Sequence, residues 1–248
     1  MKVYILLLLT CISISNSLYS QKFKEPIDYR FKDGEKGYIS FFSKSIHFPV
    51  TSLEKGTFAN SITKITVNPD GEITEITVIN PIDSTIDSEV LRVIELSKNF
   101  WKNCDSIKHD QVFYIQIAFS LPGFQPNLCK PKSKEIMKLF PEPIIVGIPE
   151  SLLPTLSKEN AIKKPIEKSE ELSERLNSNL RNEKFEEALP FLNELIKRDP
   201  SNRDLYKVRI MINIKLNRPE LVNQDDNKIF DFAEGFSLDE LNKNQNSY

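Results

Sequence analysis

A chain of 248 residues has room for one or two domains, and 40% hydrophobic against 27% charged residues is ordinary globular composition. Its 33 basic and 35 acidic residues leave a net charge of −2 with the signs interspersed, which gives no electrostatic footprint for nucleic acid. Seven glycines against fifteen prolines argue against Gly-rich phosphate loops.

In chain order, residues 1–20 read as a secretory signal peptide. Met1-Lys2 precedes a short apolar run, and the small polar residues 16–20 lead to a cut before Gln21. The run is shorter than the ~20 residues that a spanning helix needs. Leu9-Thr10-Cys11 is a weaker lipoprotein signal, because apolar residues continue past Cys11. Export is expected. Residues 21–36 read as a loose polar lead-in.

Residues 37–122 read as one module in the order helix, hairpin, helix, strand. Ile39, Phe42 and Ile46 are spaced by three and four, a helical stripe over 37–46 that Phe48-Pro49 ends. Two β-branched runs, 61–67 and 73–79, flank Asn68-Pro69-Asp70-Gly71, where Pro pre-sets φ and Gly accepts positive φ. Asp87 is the expected cap of a second helix, with Val90, Leu91 and Ile94 on its apolar face and Ile86 stapled to Leu91. Trp101 follows as a core or rim anchor. Over 111–121, Phe113, Ile115, Ile117, Phe119 and Leu121 alternate with Tyr114, Gln116 and Ser120, the pattern of a strand with one buried face. Tyr114 and Gln116 then face either solvent or an incoming partner.

Seven prolines punctuate residues 123–168, which read as an extended linker. Within it, Pro143-Ile144-Ile145-Val146-Gly147-Ile148 is apolar enough to dock, most simply on its own domain. From 169 the period is helical. Leu172, Leu176 and Leu180 share a face, and a turn at Asn182-Glu183-Lys184 leads to Phe185, Ala188, Leu192, Leu195 and Pro200. One period of 34 residues later Tyr206 and Ile210 open a third helix, after which the pattern breaks at Pro219 and Val222. Residues 169–222 are therefore a small helical domain, and 223–248 a polar tail.

Chemistry-bearing motifs are missing. His47 and His109 stand apart, no Cys/His set has metal-ligand spacing, and no nucleophile elbow, P-loop or dinucleotide fingerprint occurs. Neither enzyme activity nor a cofactor is expected. After export, Cys104 and Cys129 are the cysteines left, and a disulfide between them would close a loop of about 25 residues, contributing about 3 kcal/mol. The strand between them spans about 33 Å, so both flanks must fold back to bring the Cα atoms within about 7 Å. Whether the pair forms is left open.

The ordered set Ile39, Phe42, Ile46, Phe48-Pro49, then Asn68-Pro69-Asp70-Gly71, then Ile86-Asp87, Glu89, Leu91-Arg92, then Trp101-Lys102 resembles the TonB C-terminal domain family over about a third of the chain. The departures are Phe48-Pro49 for Tyr-Pro, Asn103-Cys104-Asp105 where Pro-Gly is expected, and His47 before the aromatic. The Phe185, Ala188 and Pro200 spacing is similar to the back half of a tetratricopeptide repeat. The resemblances imply an α+β fold: a small antiparallel three-stranded sheet with two helices, followed by a helical hairpin. They also imply a periplasmic protein-binding module of a TonB-type transport system in a Gram-negative envelope. Its partner would be an outer-membrane TonB-dependent receptor or other envelope protein. The receptor segment would add as a strand to the free edge of the last strand, at Val112, Tyr114, Gln116 and Ala118, with Phe48 and Pro49 as the carried-over motif. The alternative is a scaffold in which the helical tail binds the partner and the sheet is structural. A homodimer is left open.

Overall fold

A computed structural model describes residues 26–129, 137–148 and 166–228. The expected signal peptide, much of the proline-rich segment and most of the polar tail lie outside them. The fold is α+β: a four-stranded mixed sheet with helices, followed by a helical unit. Among the described residues no helix is long and apolar enough to cross a membrane.

The described part of the expected loose lead-in, residues 26–36, contributes to the core. Helix α1 (Pro26–Arg30) buries Ile27 and Arg30, and Phe31 is fully buried behind it. Lys32 N–H donates to Phe100 O and Lys102 N–H to Arg30 O, both at 2.8 Å, so residues 30–32 pair with 100–102. Phe31 meets Trp101 edge-on at 5.2 Å and stacks on Phe100 at 5.8 Å. This ring cluster fixes the start of α2 (Gly34–Ser45), three residues earlier than the spacing predicts. Tyr38, Phe42 and then Ile46 face the core, and Ile39 is only partly buried.

A short α3 (Val50–Glu54) leads into β1 (Ala59–Val67), which pairs antiparallel with β2 (Ile73–Val78) and with β3 (Gln111–Phe119). The Asn68–Gly71 turn forms as predicted, with Gly71 N–H donating to Asn68 O at 3.0 Å. Gly71 has φ +90 and an added Cβ would lie 2.7 Å from the Lys102 carbonyl carbon, so two independent constraints require glycine.

Helix α4 (Ser84–Leu96) starts before Asp87. Its cap is Asp83, whose carboxylate accepts from Thr85 N–H at 3.0 Å and Ile86 N–H at 2.9 Å. Asp87 instead accepts from Ile82 N–H at 2.9 Å. The buried face is Ile86, Val90, Val93 and Ile94, and Leu91 is exposed, so the expected Ile86–Leu91 staple does not form.

The expected three-stranded antiparallel sheet is extended by β4 (Ile144–Val146), from within the expected linker. It runs parallel to β3 in the order β2-β1-β3-β4. One sheet face, with Ile65, Phe113, Ile117, Phe119, Ile144 and Val146, packs on α2 and α4. The other carries Ile62 and Tyr114 beneath Cys129, Leu139 and Phe140.

The helical unit holds α5 (Ser169–Arg181), α6 (Phe185–Arg198), α7 (Arg203–Lys215) and α8 (Pro219–Lys228). A second hairpin therefore forms where the sequence pattern breaks down, because Pro is well placed at the first turn of a helix. Helices α7 and α8 each begin 34 residues after their counterparts α5 and α6. Glu183 and Asn217, also 34 apart, share a left-handed φ of 55. Lys184 N–H to Asn179 O and Arg218 N–H to Asn213 O, both 2.9 Å, close the two turns alike. Fully buried Ala188 packs in the cluster that joins Leu172 and Leu176 to Leu192.

This unit has its own core, and one polar joint pins it to the sheet. Arg198 lies 4.1 Å over the Phe58 ring and donates to Glu167 O at 2.8 Å and Glu194 Oε1 at 3.1 Å. Asn127 N–H donates to Arg198 O and Asn60 Nδ2 to Asn127 O, both at 2.8 Å.

The Asp83 cap yields a pH signature. Burial pushes its carboxyl up, but the Ile86 and Thr85 N–H groups and the Thr85 and Ser52 hydroxyls outweigh it and hold the pKa below the ordinary value. A depressed folded pKa means stability present above the unfolded value near 3.9 and lost as pH falls below it. Asp83→Ala should cost about 1 kcal/mol near neutral pH. The difference from wild type should shrink steadily below about pH 4 in urea melts.

Candidate functional site

The expected peptide-binding edge of β3 is filled by the chain itself. Tyr114 N–H donates to Leu139 O at 2.8 Å and Ser120 N–H to Val146 O at 2.9 Å. Ala118 is the partner of Ile145 in the parallel ladder. The side chains are covered too. Tyr114 stacks on Phe140 at 4.7 Å, and Gln116 and Ala118 are buried. In the amide orientation its neighbours require, Gln116 accepts from Cys129 N–H at 2.9 Å and donates to Cys129 O at 3.2 Å. Val112 is half-buried at the rim of this cluster. The four residues thus share one edge, as expected, but Cys129, Leu139, Phe140 and β4 of the same chain occupy it. The physical reason is that β3 is buried on both faces, where an unpaired N–H costs about 1–3 kcal/mol.

Among the described residues the sheet ends at β2 on one side and at β4 on the other, and the edge beyond β3 is the outer side of β4. Val146 O accepts from β3, and peptide groups alternate in direction along a strand, so the N–H and C=O of Ile145 face away from β3. Ile145 is 61% exposed. Beside it lies a groove of about 490 Å³, lined by the end of α2, the residues 46–48, Val50, Leu53 and residues 145–148. Phe48 of the carried-over motif lines it and packs edge-on against Phe119 at 5.3 Å. Pro49 starts α3 and accepts from Ser52 and Leu53 N–H, which sets Val50, two-thirds exposed, on the groove wall. The groove is apolar, with Ser43, Lys44 and His47 as its polar lining.

The carboxylate that reaches His47 is engaged elsewhere as well. Glu89 accepts from Arg92 at 2.7 and 2.8 Å and from His47 N–H at 2.8 Å. Burial alone would raise its pKa, but these donors hold it below the ordinary value. Of the groove residues, 145–148 carried a signal in the sequence as part of an apolar run interrupting polar, proline-rich chain. Lys44 and Val50 carried none, since their position depends on where β4 lands. Among the described residues no group of three or more His, Cys, Asp or Glu is placed to hold a metal ion.

The expected disulfide is not formed, and both thiols are free. Cys104 is held at the hairpin turn by its N–H to Pro69 O at 3.0 Å, whereas Cys129 packs on Ile62 and Tyr114. Five residues of β1, about 17 Å, separate Ile62 from the turn end at Val67. The Ser106 hydroxyl holds the Cys104 thiol below its ordinary value, while burial pushes Cys129 up to about 12.

Compared with known protein families, curated proteins and solved structures, the chain matches none.

The two thiols should differ sharply in reactivity. In the folded, unreduced protein, an alkylating reagent near pH 8 should label Cys104 within minutes and Cys129 only after denaturant is added, read by peptide mass spectrometry. Failure to label either cysteine in denaturant without reductant would restore the disulfide.

Proposed function

We propose that this protein is a binding module of the bacterial envelope that takes an extended segment of another envelope protein by strand addition, as its resemblance to the TonB C-terminal domain family implies. One observation carries the reading: β4 ends one side of the sheet, and Ile145, whose peptide groups face away from β3, is an exposed residue beside an apolar groove. In this mode main-chain hydrogen bonds supply affinity, and a groove beside the strand selects alternate side chains. The segment joins β4 and not β3, whose outer N–H groups are already bonded within the chain. Export to the periplasm, and an outer-membrane receptor as the partner, belong to the same proposal.

A second reading assigns partner binding to the helical unit. What favours it is the second hairpin, which makes the unit a tandem 34-residue repeat and leaves Met211 and Ile214 of α7 exposed.

Point variants of the full chain separate the two. Ile145→Pro removes the outward N–H at an edge where proline is tolerated, and Ile145→Ala keeps it. Binding of fluorescent peptides from the periplasmic N-termini of outer-membrane receptors, read by anisotropy, should weaken about tenfold or more in the proline variant, as expected for one hydrogen bond of about 1.4 kcal/mol. The alanine variant and Ile214→Asp should change it far less. Loss in Ile214→Asp, with Ile145→Pro unaffected and both folded by circular dichroism, would move the function to the helices.

A further inference from the structure

Resting on the proposed strand addition at β4, we infer that the groove selects an extended partner segment carrying a carboxylate next to its apolar residues. The polar lining of the groove is one-sided in charge. Lys44 and His47 stand at it, and among the described residues no Asp or Glu lines it. Among the described residues Lys44 has no ion pair and is exposed, in the last turn of α2. The imidazole of His47 is 75% exposed, and its Nδ1 stands 3.5 Å from Glu89 Oε1. Arg92 already neutralises that carboxylate with two bonds from its guanidinium, so among the described residues the charge at the groove is positive. The rest of the wall is aliphatic or aromatic, from Ile46 and Phe48 on one side to Ile145 and Ile148 on the other.

Chemistry then fixes the partner class. A strand pairing with the outer side of Ile145 places alternate side chains toward and away from the groove. An apolar side chain meets the aliphatic wall. A basic one near Lys44 meets like charge without a counter-ion, and an acidic one gains a charge-assisted contact at a partly exposed site. The exposed charges make this preference salt-dependent, since screening acts over about 10 Å at 0.1 M.

The test uses the full chain and two ten-residue peptides, blocked at both ends, with the same alternating valine–serine sequence. One carries two glutamates at one end and the other two lysines at the same positions. Anisotropy titrations at low salt should show the glutamate peptide binding at least several-fold more tightly, with the difference shrinking by 0.5 M salt. Lys44→Glu should abolish or invert that preference. Equal binding of both peptides, or a preference unmoved by Lys44→Glu, would overturn the charge selection and leave strand addition standing. No binding of either peptide, or binding indifferent to Ile145→Pro, would remove the underlying edge reading instead. A stable dimer that neither peptide dissociates, seen by sedimentation, would assign the groove to a second copy of the chain and overturn the inference.

Discussion

The fold depends on how the outer side of β3 is hydrogen-bonded. A strand that is apolar on one face and covered on the other cannot leave its N–H groups unpaired, since each buried orphan costs about as much as several well-made surface contacts return. Residues 137–146 meet that demand from within the chain, through Leu139 O to Tyr114 and the short parallel β4 beyond it. Once they do, Phe140 and Cys129 cover the second face, the sheet gains a fourth strand, and its edge on this side moves outward to Ile145. The groove follows, because β4 comes to rest beside the end of α2 and Phe48.

Local patterns were legible where local physics decides. The Asn68–Gly71 turn, the alternation of β3 and the leucine face of α5 all stand in the structure. The apolar run 143–148 reads as a segment able to dock on its own domain, and Ile144–Val146 of it pair with β3. Contacts between distant residues were not legible. Arg30 and Phe31 sit in a polar stretch that reads as loose, yet they pair with residues 100–102 and are fully buried. Tyr114 and Gln116 look like a solvated face because nothing in β3 itself announces that Cys129, Leu139 and Phe140 will cover them. Asp87 was the plausible cap by composition, but the helix begins at the earlier Asp83, whose carboxylate bonds the first free N–H groups and the Ser52 hydroxyl.

In the helical unit, turn geometry defines the repeat more faithfully than the side chains that usually mark it. Pro219 and Val222 stand where an aromatic and a small residue are expected, yet the left-handed Asn217 reproduces the Glu183 turn and α8 starts on schedule. Asparagine tolerates that conformation better than most residues, and proline suits the first helical position. The unit is joined to the sheet by Arg198 on Phe58 and by Asn127, so the two parts share a small polar joint and keep separate cores.

The central claim is that the chain fills the β3 edge and leaves the β4 edge open, and residue-resolved amide hydrogen exchange on the folded protein tests it most directly. Strong protection is expected at Tyr114, Ala118 and Ser120 together with fast exchange at Ile145. Fast exchange at Tyr114 and Ser120 would mean that residues 137–146 do not hold the edge, and would contradict the account.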